Sequence, residues 1–182
     1  DFIPRFVKTA KLYAHEFTKS CQRSGTETGS YWRDVGTLDA YWEASLDLTS
    51  VVPELDLYDP NWRIFTQGLQ LPPAKFVFDD GNRRGMAIDS LVSEGVVVSG
   101  SEVRRSLLST QARINSYARL DQAVILPEVN VGRHARLSKV IVDRGVDIPE
   151  GLVVGAMTLA LAQRYFAAFA TARSLNQQLE QG

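Results

Sequence analysis

The chain has 182 residues, 23% of them charged, and a formal net charge of −1. That length leaves room for one or two domains with a real core, and the near-balance of charge excludes a global basic field that would recruit nucleic acid. The single cysteine, Cys21, excludes an internal disulfide framework and fits a reducing cytoplasm, and no 18-residue apolar run or signal peptide is present.

The first residue is Asp1 rather than Met, which we read as the mark of a piece of something longer. Early in the chain, Tyr31-Trp32-Arg33-Asp34-Val35-Gly36-Thr37 is the sharpest candidate for chemistry. An acidic side chain just before a glycine and a helix start is common at the mouth of an α/β sheet, where ligands bind. A carboxylate there suits Mg²⁺, a hard cation that prefers oxygen. The plainer reading is an aspartate that pairs with a neighbouring cation or caps a turn.

Thr37 is a good N-cap, and the spacing predicts a helix to about Thr49. Leu38, Tyr41, Trp42, Ser45 and Leu46 share one face of it. Val51-Val52-Pro53 ends it, because proline cannot donate to the helix ladder. Asp59-Pro60-Asn61 reads as a turn, and Leu71-Pro72-Pro73-Ala74 as an extended connector. All but four aromatic residues precede Asp79, and Tyr117 is the only one between there and Arg164. Aromatics suit a thick globular core, whereas a narrow solenoid takes aliphatic and small side chains. The turn-rich Asp79-Asp80-Gly81-Asn82 therefore marks a changeover between two architectures.

From Leu91 to Val154 the aliphatics keep a 17-residue beat divided as six, six and five. Leu91, Leu108, Ile125 and Val142 form one column; Val97, Ile114, Val131 and Ile148 a second; Val103, Leu120, Leu137 and Val154 a third. Neither a helix nor a simple strand repeats in this way. Three five- or six-residue sides to a coil fit a parallel β-helix, with one inward aliphatic per side stacked about 4.8 Å above the last. Arg119 and Arg136 are one coil apart, so their like charges should stack and a bound anion would relieve them. After Gly155, Ala162, Tyr165, Phe166, Phe169, Ala172 and Leu175 line one face of an Ala-rich helix suited to capping the last open coil.

The motif at 31–37, with Leu46-Asp47-Leu48, Pro53-Glu54-Leu55-Asp56, 71–77, Asp89-Ser90-Leu91-Val92-Ser93, Val142-Asp143-Arg144 and Ile148-Pro149-Glu150-Gly151, resembles bacterial glucose-1-phosphate adenylyltransferase (ADP-glucose pyrophosphorylase). The resemblance covers about residues 1–155. It implies the end of a nucleotide-binding α/β catalytic domain over 1–50, a connector over 51–90, a left-handed β-helix over 91–155, and a helical tail over 156–182. The implied reaction is transfer of adenylyl from ATP to glucose 1-phosphate, giving ADP-glucose and pyrophosphate for glycogen, in a cytoplasmic homotetramer. The resemblance makes Asp34 a Mg²⁺ ligand at the catalytic centre and Trp32 a relay of activator binding. It makes Arg144 a contact to a sugar-phosphate activator, and Arg119 and Arg136 join it as allosteric candidates on their spacing alone. The family's glycine-rich loop G-G-x-G-T-R-L is absent, so the chain alone is expected to lack ATP-dependent activity, and the tail from Phe169 departs from the family. Two other readings stay open: a hexapeptide-repeat acyltransferase using His134 as a base, and a non-catalytic oligomerisation or regulatory solenoid.

Overall fold

The computed structural model describes residues 2–7, 9–17, 31–60 and 63–155. The capping helix expected beyond residue 155 and the divergent tail lie outside these residues, as does Asn61 of the turn at 59–61. Upstream of Lys75 the described chain forms two helices, α1 (Phe2–Phe6) and α2 (Leu38–Asp47). Thr37 has extended backbone and its hydroxyl accepts the Ala40 N–H at 3.2 Å, satisfying a donor that the first helical turn otherwise leaves orphaned. The helix closes at Asp47, slightly before the expected end, with the Thr49 and Ser50 N–H groups turned back onto the carbonyls of Leu46 and Asp47. Tyr13-Ala14-His15, which resembles a family strand, is irregular. A strand needs a neighbour for its backbone groups, and among the described residues none pairs with it.

From Lys75 onward the chain winds into a parallel β-helix. Its strands are β1 (Lys75–Val77), β2 (Asp79–Asp80), β3 (Arg83–Arg84), β4 (Met86–Ile88), β5 (Leu91–Val92), β6 (Val97–Ser99) and β7 (Glu102–Arg104), followed by β8 (Leu107–Leu108) and β9 (Arg113–Ile114). The last coils carry β10 (Arg119–Ile125), β11 (Asn130–Val131), β12 (Arg136–Val142), β13 (Asp147–Ile148) and β14 (Val153–Val154). All pair in parallel except β2 and β3, an antiparallel hairpin that juts from the first coil. One wall runs β1-β6-β9-β11-β13 and a second β4-β7-β10-β12-β14; β5 and β8 meet the far halves of β10 and β12 to make the third.

The inward columns match the sequence reading in the lower coils and differ by one residue in the upper one. Leu108, Ile114, Ile125 and Val131 are fully buried, and Leu120 and Leu137 are 2% exposed. In the upper coil, however, Val98 pairs with Ile114 and Val92 with Leu108, so the column members are Val98 and Val92 rather than Val97 and Leu91. The cause is a short corner. Val98 to Val103 takes five steps, where Ile114 to Leu120 takes six, so one coil returns after 16 residues and shifts everything above it by one. Because successive residues of a strand face opposite sides, that single step turns Leu91 and Val97 outward.

Each corner places one residue in the left-handed backbone region. The three series are Asp89-Arg105-Gln122-Lys139, Gly95-Gln111-Glu128-Gly145 and Gly100-Tyr117-His134-Gly151, with φ between 43° and 75°. Just inside them sit small or aliphatic residues, such as Val96, Ala112 and Val129, that close the interior. Where Ser90 and Ser106 take that place, their hydroxyls accept the N–H groups of Ser106 and Ala123 on the next coil. No described buried side-chain polar atom lacks a partner.

The third wall is apolar on both sides. Its inward column is Val92, Leu108, Ile125 and Val142, and its outward column is Leu91, Leu107, Val124 and Ile141. Strands that are apolar on both faces are buried on both faces. Val124 is fully buried although it points away from the solenoid interior, while Leu91, Leu107 and Ile141 of the same outward column are half-buried. The segment carrying α2 packs beside this wall: Trp42 donates its indole N–H to the Gln122 carbonyl at 2.8 Å, across 80 residues of sequence.

Candidate functional site at the seam between helix and solenoid

A cleft of about 520 Å³ opens along this seam and is lined by Arg33, Trp42, Asp47, Asp89, Arg105 and Gln122 among others. A smaller one of about 320 Å³ follows the chain after α2, between Leu48–Pro53, Tyr58 and Leu91. Each guanidinium at the larger cleft already has a carboxylate. Arg33 lies 2.9 Å from Glu54, and Arg105 makes a two-pronged contact with Asp121 at 2.8 and 2.9 Å. Asp47 accepts the Glu54 N–H at 3.2 Å, tying the loop after α2 back to the helix. Tyr31 borders this group, and partial burial raises its phenol pKa; Arg33 opposes that shift and Asp47 and Glu54 add to it. An incoming anion would therefore have to compete with built-in carboxylates for both arginines.

Asp34 stands on the exposed loop leading into α2. Its Oδ1 accepts the Gly36 N–H at 3.0 Å, which is the turn-capping role weighed against a metal role. A Cβ at Gly36 would come within 3.2 Å of that oxygen, so glycine leaves space for the turn. Trp32 is 68% exposed and, among the described residues, makes no bond across the seam, whereas Trp42 bridges to the solenoid. Among the described residues no three His, Cys, Asp or Glu side chains gather closely enough to hold a metal ion. Asp34 thus presents a single carboxylate, already engaged by the Gly36 N–H, with no metal-binding cluster around it among the described residues.

The arginines flagged on the solenoid occupy two other places. Arg119 and Arg136 are register partners on adjacent coils of the second wall, as the spacing predicts. The position above them holds Glu102, 3.9 Å from Arg119 and 2.5 Å from Arg104. Part of the like-charge repulsion is therefore relieved from within the chain. Arg144 lies exposed at a corner and pairs with Glu128 on the preceding coil. That hydrogen bond raises its pKa further, leaving it cationic at any working pH. The structure does not bring Asp34, Arg119, Arg136 and Arg144 into one cluster.

His134 is a left-handed corner residue whose ring stacks on Tyr117, with centroids 4.9 Å apart and planes inclined by 11°. Two features escaped sequence reading: the pairing of Trp42 with the Gln122 corner, and the insertion of Arg83 beside Gly100. Val124-Ile125 and Val140-Ile141-Val142, apolar at consecutive positions, were the available signal that one wall is covered on its outside.

The model of the GlmU-like C-terminal hexapeptide family matches residues 72–170. A glucose-1-phosphate adenylyltransferase of Bradyrhizobium diazoefficiens is 59% identical over 155 residues, 85% of this chain and 37% of that protein. The enzymes of the same name from Mesorhizobium japonicum and Paramagnetospirillum magneticum are 56% and 54% identical over 91% of this chain, and 39% and 38% of those proteins. The chain thus spans about two fifths of the length of the relatives it matches, and the match lies in their C-terminal part.

Proposed function

The chain belongs to the GlmU-like C-terminal hexapeptide family, and from that premise we propose that it is the C-terminal portion of an enzyme transferring adenylyl from ATP to glucose 1-phosphate. One observation carries the reading. The relatives align over 155 or more residues, further than the solenoid family model reaches, so the likeness includes the helix and loop upstream of the β-helix. A shared solenoid alone would be compatible with many activities. The acyltransferase alternative rests on His134, and that ring is stacked against Tyr117 rather than set in a cleft.

In this reading Asp34 contributes an oxygen to Mg²⁺, and the other ligands come from substrate phosphates and from parts of the enzyme outside the described residues. Bound there, Mg²⁺ would offset charge that builds on the transferring phosphate. Arg144, and with it Trp32, Arg119 and Arg136, would serve a sugar-phosphate activator, which acts only if it binds two arrangements of the enzyme unequally. A cytoplasmic homotetramer in glycogen synthesis accords with the resemblance. Among the described residues no helix is long and apolar enough to cross a membrane.

A chimera tests the activity directly. The preceding three fifths of the Bradyrhizobium relative, joined ahead of this chain at the matching residue, should form ADP-glucose from ATP and glucose 1-phosphate with Mg²⁺. This chain alone should form none. A folded chimera with no pyrophosphate release would overturn the reading.

A further inference from the structure

The corner series that contains Gly100 holds planar side chains on other coils: Phe78 above, Tyr117 and His134 below. Backbone hydrogen bonds set the register, from Gly100 N–H to the Val77 carbonyl at 3.0 Å and from Tyr117 N–H to the Gly100 carbonyl at 2.7 Å. At Gly100 itself the series has no side chain, and coil stacking leaves a gap roughly 9–10 Å deep between the Phe78 and Tyr117 levels. Arg83, reaching over from the β2–β3 hairpin, fills it. Its guanidinium carbon lies 3.3 Å from the Phe78 ring centroid, and its Nε donates to the buried Ser116 hydroxyl at 3.1 Å. A Cβ on Gly100 would come within 2.6 Å of the Arg83 Cγ, so the glycine is what makes room for the arginine stem.

We propose that this gap is a planar-cation site, with Arg83 as its built-in ligand, and that the β2–β3 hairpin is a strap held closed by that ligand. A ring face on one side and a hydroxyl acceptor recognise a guanidinium by charge, flatness and a directed N–H. An ammonium supplies the charge without the plane. When Arg83 leaves, the strap swings free and the site accepts a free guanidinium or an arginine from another polypeptide.

Hydrogen exchange over residues 78–86 reads the strap. Arg83→Ala should speed exchange there roughly tenfold, the scale of one cation–π contact, while exchange in β10–β12 stays unchanged. Millimolar methylguanidinium should shift the NMR signals of Phe78 and Ser116 in Arg83→Ala while leaving the strap fast to exchange, methylammonium should shift neither, and neither cation should alter the parent chain. Arg83→Lys should behave like Arg83→Ala. Parent-like exchange in Arg83→Ala, or equal signal shifts from both cations, would each overturn the proposal.

Discussion

The β-helix and the segment at residues 31–60 obey opposite rules. In the solenoid every coil finds its partners one turn away in sequence, and Val98, Ile114, Ile125 and Val131 have no solvent contact at all. In the upstream segment Leu38 is 78% exposed, Tyr58 80% and Val51 93%. A quasi-one-dimensional stack completes its core from its own repeats, whereas a helix with large apolar side chains in water has the surface of an interaction site. The contrast separates a unit whose stability is internal from one whose chemistry depends on more protein.

The sharpest way to separate the two is to damage each in turn. In the active chimera proposed above, Asp34→Ala should lower turnover on the order of a hundredfold or more, the range seen when a group acting on transition-state charge is removed. Thermal unfolding of the solenoid should barely move. A near-normal rate at saturating Mg²⁺ would leave Asp34 with its turn-capping role alone. Ile114→Ala should do the reverse, costing about 2–4 kcal/mol as large-to-small core changes do, readable as a lower denaturation midpoint with kinetics intact where the enzyme remains folded. Loss of the midpoint shift would mean the stack relaxes around cavities.

Smaller effects probe the boundary between the regions. Arg144→Ala in the complete enzyme should weaken an activator's apparent affinity roughly tenfold, the scale of one charge-assisted contact, with the unactivated rate unchanged. Since Glu128 is its partner in the structure, Glu128→Gln should shift the same activation curve the other way, toward tighter binding. Activation curves indifferent to both would reduce the pair to a surface ion pair. Trp42→Phe deletes the hydrogen bond to Gln122 together with part of the ring, so it should cost at least about 0.5–1.5 kcal/mol, the share of the lost bond. The loss should appear as faster hydrogen exchange in α2 and not in the lowest coils.

The fold was legible where the chain repeats itself. Inward aliphatics at Leu108, Ile114, Leu120, Ile125, Val131 and Leu137 announce a solenoid because each coil meets the same packing demand. Thr37 announces its helix because an N-cap is a local device. The slip at Leu91 and Val97 came from a corner shortened by one residue around Gly100, a change that periodicity alone leaves ambiguous when Val96, Val97 and Val98 are all valine. Arg83 was hidden because its place is defined by a glycine on the next coil. The candidate site was less legible, since isolated charges such as Asp34 and Arg144 carry no periodic context. The acid before a glycine and a helix start marked Asp34, only the resemblance marked Arg144, and the structure shows each already holding a local partner.

The bond between Trp42 and Gln122 also sets a schedule for the growing polypeptide. These residues are 80 apart, and ribosomes add about 5–20 residues per second, so α2 is made roughly 4–16 seconds before its acceptor carbonyl exists. Through that interval its apolar side has no wall to lie on, and the wall must gather several coils before it can receive the helix. Chaperones that bind exposed apolar stretches have their best opportunity on this chain then, and slower translation through the coils would lengthen it.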